Sequence, residues 1–172
     1  MTHRNRQRLI VAAAAGAAVL LVGCGPSGSS PAAARPAAVA GTGSGSAGGI
    51  RVAGAYIPQQ ASPDVAAAYL DITNTGPVPD ALISATSPAA PMVTMHDNVP
   101  AGAGESMVAT GTVELPAHAT VGFTVGHRHL MLMNPPRPLK QGQRVTLSLH
   151  FARAGTLTLA VPIVGFTGPG AG

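Results

Sequence analysis

The sequence is poor in the side chains on which most enzymes depend. Its 172 residues include one cysteine, no tryptophan, three Phe and two Tyr, and only 9% of them are charged. A cysteine nucleophile is excluded from the body of the chain, because the single cysteine, Cys24, precedes it. The six carboxylates form no close pair suited to general acid and base catalysis, and no P-loop or dinucleotide fingerprint is present. The composition therefore predicts a protein that is not an enzyme.

The scarcity of charge also argues against a nucleic-acid partner. The formal net charge is +4, but three of the ten basic residues, Arg4, Arg6 and Arg8, lie at the very start of the chain. After Cys24 there are seven basic and six acidic residues, so the remainder carries a formal +1. A near-neutral domain lacks the basic surface that binds a phosphate backbone, and no nucleic acid is predicted as a partner.

The first 24 residues have the layout of an export signal. A basic start is followed by an uninterrupted apolar run from residue 9 to residue 22, which is short for a permanent membrane span. The tetrapeptide "LVGC" resembles a bacterial lipobox, in which the cysteine is lipidated and the leader is cleaved before it. We therefore expect residues 1–23 to be a lipoprotein signal peptide and Cys24 to anchor an extracytoplasmic protein to the membrane. The alternative is an ordinary signal peptide followed by an incidental cysteine.

The composition divides the rest of the chain into three parts. Residues 24–49 are almost wholly Gly, Ser, Ala, Pro and Thr, which predicts a flexible tether. Residues 50–166 alternate short apolar runs with turn signals and are predicted to form the folded domain. Residues 167–172 are predicted to be a disordered tail.

The predicted domain has the pattern of an all-β fold. Prolines recur from residue 77 to residue 138 and leave few windows long enough for an amphipathic helix, while β-branched residues dominate runs such as "QRVTLSLHF" and "TLTLAVPIV". Seven to nine strands are expected over this length. The sequence thus predicts an antiparallel Greek-key β-sandwich or barrel, similar to a cupredoxin.

Histidine and methionine are concentrated in one part of this domain. Five of the six methionines and four of the six histidines fall between residues 92 and 133. In "GHRHLMLMN", a strand over residues 127–133 would place His127, His129, Met131 and Met133 on one face. Core packing alone would spread methionine across all strands, so the clustering favours a metal site.

The donor types indicate which metal such a site would take. Imidazole and thioether together suit Cu(I), whereas zinc normally recruits thiolate or carboxylate and calcium requires oxygen donors. A blue-copper centre would need a cysteine thiolate, which the body of the chain does not contain.

The spacing of four of these residues resembles a known signature. His96, ten residues, Met107, twenty-one residues, His129, one residue and Met131 is similar to the motif of the periplasmic copper chaperones called PCuAC. The stretch "HLMLMN" followed by "RPLKQGQRVTLSLHFARAGTLTLAVPI" also resembles that family, as does the earlier "VAAAYLDITNTG". The resemblance extends over roughly residues 50–164.

This resemblance implies a ligand set and a function. It implies that Cu(I) is bound by His96, Met107, His129 and Met131, and leaves His127, Met133 and Met95 as accessory candidates. For His127 the alternative is a solvated loop histidine; for the two methionines it is packing. The implied function is delivery of copper to the CuA centre of cytochrome c oxidase, in concert with a thiol-bearing assembly protein. A copper buffer without a dedicated client, and a metal-free surface β-sandwich that serves as an interaction module, remain alternatives.

Overall fold

The computed structural model describes residues 42–170. The predicted signal peptide, the lipidation site Cys24 and the tether up to residue 41 lie outside the described residues, as do residues 171 and 172. Within residues 42–170 we find no helix of the length and apolar character that crossing a membrane requires.

The described chain is all-β, as the sequence predicts. It forms eleven strands rather than the expected seven to nine, because two glycine-rich stretches that look like loops in the sequence are also extended. The strands are β1 (Gly43–Ala47), β2 (Ile50–Pro58), β3 (Val65–Asn74), β4 (Asp80–Thr86), β5 (Met92–Ala101), β6 (Gly104–Thr110), β7 (Val113–Leu115), β8 (Thr120–Phe123), β9 (His129–Met133), β10 (Arg144–Phe151) and β11 (Gly155–Val164).

The strands pair in the order β6-β5-β9-β3-β2-β11-β10-β4-β7, with β1 added to β2 and β8 added to β3. Their pairing is antiparallel except between β2 and β11, which run parallel, so the sheet is mixed and not purely antiparallel. Buried side chains from both halves of this order belong to one hydrophobic cluster. The two halves therefore pack face to face as a β-sandwich around a single core.

Alternation along the strands explains which faces are buried. In β3, every second residue from Ala66 to Asn74 is buried, and in β10 every second residue from Val145 to Phe151 is buried. Successive strand side chains point to opposite faces, so one face of each strand supplies the core and the other lies outside it.

Two buried polar side chains secure the connections between strands. The Asn74 amide group donates to the carbonyl oxygens of Val78 and Leu115, at 2.9 and 3.0 Å. The Asp80 carboxylate accepts hydrogen bonds from the backbone N–H groups of Arg153 and Ala154. Each group is thus paired in the interior, which removes the cost of burying it unpaired.

The folded domain begins earlier than the composition suggests. Residues 43–47, which fall in the predicted tether, form β1 and pair with β2. A Cβ atom at Gly43 would lie 2.6 Å from the backbone oxygen of Ala160, so the absence of a side chain allows β1 to approach β11 closely. The prediction that residues 43–47 belong to a flexible tether, which rested on their small side chains, is therefore wrong. At the other end, within the predicted tail, the N–H of Gly168 donates to the carbonyl of Gly165 in a turn.

The glycine-rich stretch "AGAGES" is also more ordered than its composition indicates. β5 continues to Ala101 and β6 starts at Gly104, with Gly102 in the turn at a φ of 59°. Glycine adopts this left-handed conformation without steric cost. The tight hairpin holds Met107 on a strand beside β5 instead of in a loop.

Candidate metal centre

The strands β5 and β9 bring the two central histidines together. His96 on β5 lies directly opposite His129 on β9, although 32 intervening residues separate them in sequence. Side chains of directly opposed residues share a face, and the two rings stack with their centroids 5.9 Å apart and their planes 16° from parallel. The arrangement places two imidazoles side by side.

The two methionines of the motif lie on the same face, on either side of this pair. Met131 follows His129 by two residues and lies opposite Thr94, while Met107 on β6 lies opposite Asn98. Alternation puts Thr94, His96 and Asn98 on one face of β5, so Met131 and Met107 share that face too. The structure thus presents all four predicted ligands on one side of the β6-β5-β9 segment. Their role as ligands stays a prediction.

A backbone contact fixes which nitrogen of His129 is free. Nδ1 of His129 lies 2.8 Å from the carbonyl oxygen of His127. A carbonyl can only accept, so Nδ1 carries the proton and Nε2 carries the lone pair. A metal-binding histidine characteristically donates its other ring N–H in this way, which fixes the ring's orientation.

His96 presents its opposite nitrogen. Nε2 of His96 lies 2.9 Å from the hydroxyl oxygen of Thr94, whereas Nδ1 is buried and has no hydrogen-bond partner within residues 42–170. A buried, unpaired polar atom is uncommon in proteins and calls for a partner. In the tautomer that carries the proton on Nε2, Thr94 accepts a hydrogen bond from that proton and the lone pair on Nδ1 is free to bind a metal ion.

The environment of His96 favours this neutral form. Burial lowers the pKa of His96 from its ordinary value of 6.5, and electrostatic repulsion from the neighbouring His129 ring lowers it further. At neutral pH the imidazole is therefore uncharged, as a ligand must be.

Exposure differs sharply among the four side chains. His129 is 8% exposed, His96 and Met131 are half-buried, and Met107 is 51% exposed on the edge strand β6. The site is thus anchored at His129 and open to solvent at Met107. No three His, Cys, Asp or Glu side chains of residues 42–170 are grouped as a metal site of those donors would require, so a site here needs the thioethers.

The structure places the three accessory candidates in different surroundings: one in the core, one in a loop and one on the face of the site. Met95 is 5% exposed and points to the opposite face of β5, into the core, so it is not part of the site. The prediction of a strand over residues 127–133 is wrong at its start: β9 begins at His129, because Gly126 at a φ of 81° and the bond from the N–H of His127 to Thr124 form a turn. The exposed His127 is therefore a loop residue whose carbonyl, not its ring, contacts His129. Met133 does share the face of Met131.

Other residues, which the sequence reasoning missed, also shape the site. Besides Thr94, the Arg128 guanidinium binds the Asp97 carboxylate at 2.8 Å and lies 5.8 Å from the centroid of Phe123. These contacts tie the turn before His129 to β5 and β8. The Tyr69 ring lies 6.4 Å from that of His129 and covers its other side. Only Thr94 had a sequence signal, since it stands two residues before His96 on the same strand face.

A family model and a curated relative both match this chain over most of its length. The family model described as "Putative lipoprotein LpqE-like" matches residues 50–163. A curated relative, "Putative lipoprotein Lxx21020" of Leifsonia xyli subsp. xyli (strain CTCB07), is 33% identical over 123 residues, which cover 71% of this chain and 74% of the relative.

Solved structures with the same fold include copper-binding domains. The solution structure of CuI-DR1885 from Deinococcus radiodurans is 28% identical, with a TM-score of 0.53, and the match covers 73% of this chain and 83% of that one. The copper-bound PCuAC domain from PmoF2 is 20% identical, with a TM-score of 0.60 and coverage of 71% and 97%. The second likeness, at this identity, concerns the fold alone.

Proposed function

Because the chain belongs to the LpqE-like family and its described domain is of the PCuAC type, we propose that it is an extracytoplasmic copper chaperone. It binds one Cu(I) ion through His96, Met107, His129 and Met131, and a lipid on Cys24 anchors it to the membrane. The observation that carries the proposal is the opposed pair His96 and His129, each with one ring nitrogen free and with thioethers on the same face.

The donor set suits the univalent ion. Thioether sulfur is a soft ligand that selects Cu(I), and imidazole binds copper readily. All four ligands are neutral, so the ion keeps its single positive charge and no carboxylate is needed to balance it. The copper-bound relatives support this assignment, since the structure from Deinococcus radiodurans contains Cu(I).

The graded exposure supports a role in transfer. A partner's donor can replace the solvent-exposed Met107 first, while the buried His129 still holds the ion. Met131 and His96 are then displaced in turn. We propose that the acceptor is a cytochrome c oxidase subunit at its CuA site, reached directly or through a thiol-bearing assembly protein.

Copper binding is tested by anaerobic titration of the full chain with Cu(I) against a competing chelator. A Cys24→Ser background removes the thiolate, which would otherwise bind Cu(I) itself. One tight equivalent is expected, and His129→Ala or Met131→Ala should weaken it by at least ~10–100-fold, the range that even outer-shell changes produce. Met95→Leu, a volume-conserving change in the core, is the control. Absence of a tight equivalent, or affinity unchanged by both substitutions, refutes the site.

Delivery is tested separately from binding. Deletion of the gene should lower cytochrome c oxidase activity at limiting copper, and the wild-type gene, but not His129→Ala, should restore it. If the deletion strain keeps full oxidase activity but becomes sensitive to excess copper, the protein is a buffer and the delivery step is wrong.

A further inference from the structure

Three methionines form a compact group beside the proposed site. Met92 on β5 lies directly opposite Met133 on β9, and the next pair on this face is Thr94 and Met131. Alternation therefore places Met92, Met131 and Met133 on the same face as His96 and His129. They continue that face along the strands, away from Met107.

None of the three methionines belongs to the hydrophobic core cluster. The core face of these strands is the opposite one, which carries Met95, Leu130 and Leu132, all at most 5% exposed. Met92, by contrast, is 52% exposed. A large apolar side chain left half in water on a non-core face contributes little burial.

The neighbouring strand places short side chains beside two of these methionines. On β3, Ala67 lies opposite Met131 and Val65 lies opposite Met133. Both are small side chains and neither carries a group that would compete for a sulfur atom. Directly opposite Met131 and Met133, β3 therefore presents no long side chain.

The spacing allows the three sulfur atoms to meet at one ion. Directly opposed residues such as Met92 and Met133 have Cβ atoms about 4.5–5.5 Å apart, and a diagonal pair such as Met92 and Met131 is about 7–8 Å apart. Met131 and Met133 are two residues apart on one strand, about 7 Å. A methionine side chain has three rotatable bonds and adapts readily over these distances.

We propose that Met92, Met131 and Met133 form a second, weaker Cu(I) site, made only of thioethers, that shares Met131 with the His/Met site. The inference builds on the proposed function, because it assigns that site a neighbour. Sharing one ligand lets the ion move without leaving the protein: bonds to Met92 and Met133 form as those to Met107 and the two histidines break, and Met131 stays bound. The ion remains Cu(I) throughout and no proton or electron is transferred.

The second site lies at the Met92 end of this face, where an ion can bind from solvent. Met92 is as open to solvent as Met107, so an ion held there is accessible to a partner from the side opposite Met107. Copper could thus enter at one end of the face and leave at the other.

The test is a titration of the full chain, in the Cys24→Ser background, with methionine methyl groups labelled with ¹³C. Anaerobic Cu(I) is added up to two equivalents while the methyl signals are followed. The first equivalent should shift Met107 and Met131, and the second should shift Met92 and Met133. The buried Met95 should stay unchanged and serves as the internal control.

Two double variants separate this proposal from the previous one. Met92→Leu/Met133→Leu should weaken the second equivalent by ~10–100-fold and leave the first within about threefold. His96→Ala/His129→Ala should lose the first and retain binding at Met92 and Met133. A wild-type chain that saturates at one equivalent, or a second equivalent that leaves the Met92 and Met133 methyls unmoved, overturns the second site. If tight binding of the first equivalent is absent while the Met92 and Met133 methyls still shift, the His/Met site is refuted and the second site stands.

Discussion

At the scale of single residues, the site depends on hydrogen bonds that decide which ring nitrogen is free. His129 is oriented by a backbone carbonyl and His96 by a side-chain hydroxyl. When Nε2 of His96 carries the proton, the two rings offer different nitrogens to a metal ion, Nε2 of His129 and Nδ1 of His96. A carbonyl acceptor cannot be removed by substitution, but the hydroxyl can. Thr94 is thus a positioning residue that can be tested.

Substituting Thr94 should weaken copper binding without unfolding the domain. Thr94→Val removes the hydroxyl that hydrogen-bonds to Nε2 of His96, and we expect Cu(I) affinity to fall by ~10–100-fold, as for other groups that orient a metal ligand. Chelator competition measures the loss, and Thr94→Ser, which keeps the hydroxyl, should restore it. Thr120→Val is the matched control, since it removes a hydroxyl contact with Thr73 on β3 and β8, away from the site. Equal affinities for Thr94→Val and the wild type would contradict the positioning role.

The lowered pKa of His96 gives a pH dependence with a definite sign. Well above pH 6.5 His96 is neutral in both the folded and the unfolded chain, and its protonation has no effect on stability. As pH falls below 6.5 the unfolded chain takes up the proton first, so the free energy of unfolding decreases until the lowered pKa is passed. We also expect Cu(I) binding to weaken at acid pH, because the ion must then displace a proton from His96.

A titrating ligand can be distinguished from a non-titrating one at this position. His96→Met keeps a Cu(I) ligand but carries no proton. We expect the acid limb of log affinity against pH to be shallower in His96→Met by about one decade per pH unit. Anaerobic chelator competition from pH 7.5 to pH 4.5 measures both slopes. Parallel slopes would show that His96 does not bind the ion.

At the scale of secondary-structure elements, β9 assigns its two faces to different tasks. Leu130 and Leu132 are fully buried in the core, while His129 and Met131 lie on the other face. The period-2 alternation of a strand makes this separation possible within five residues. Stability and copper binding should therefore respond to different substitutions on the same strand.

Neighbouring residues of β9 provide that comparison. Leu130→Ala should lower the free energy of unfolding by about 2–5 kcal/mol, the usual cost of truncating a buried leucine. Met131→Leu conserves volume and should change stability by less than about 1.5 kcal/mol, yet greatly weaken Cu(I) binding. Urea denaturation measures the first quantity and chelator competition the second. A large loss of stability in Met131→Leu would show that this side chain belongs to the packing.

At the scale of the whole molecule, the domain includes strands at positions that composition assigned to flexible chain. β1 pairs with β2, and Gly43 approaches the backbone of Ala160 on β11. The folded unit thus includes β1, which lies against both β2 and β11. Residues 43–47 are structural and not a spacer.

A single methyl group tests whether β1 is held in place. Gly43→Ala would put a Cβ atom 2.6 Å from the Ala160 oxygen, a contact that backbone must move to relieve, and should cost about 1–3 kcal/mol. At Gly104 a Cβ atom would meet nothing within 4 Å, so Gly104→Ala is the control and should be nearly neutral. Urea denaturation of both variants makes the comparison. Equal stabilities would show that β1 detaches at little cost.

The sequence predicted those features that depend on local pattern. Proline spacing and alternation were sufficient for the all-β class. The resemblance to PCuAC chaperones implied His96, Met107, His129 and Met131 as ligands; the fold places all four on one face, and their role as ligands stays a prediction. The same local reasoning failed at Gly43–Ala47 and at "AGAGES", because glycine-rich composition is shared by flexible loops and by strands that must pack closely. It also left Met95 as a candidate, since adjacency to His96 in sequence does not show which face a side chain takes.

What the sequence by itself determined was the kind of chemistry: neutral nitrogen and sulfur donors, with no thiol in the domain, fit Cu(I) whatever their arrangement. The tertiary structure alone decided the arrangement. Cross-strand register joined residues tens of positions apart, placing His96 against His129 and Met92 against Met133, and it turned Met95 inward. Register follows from burying one face of every strand at once, so it is a property of the packed core that no short stretch of sequence contains.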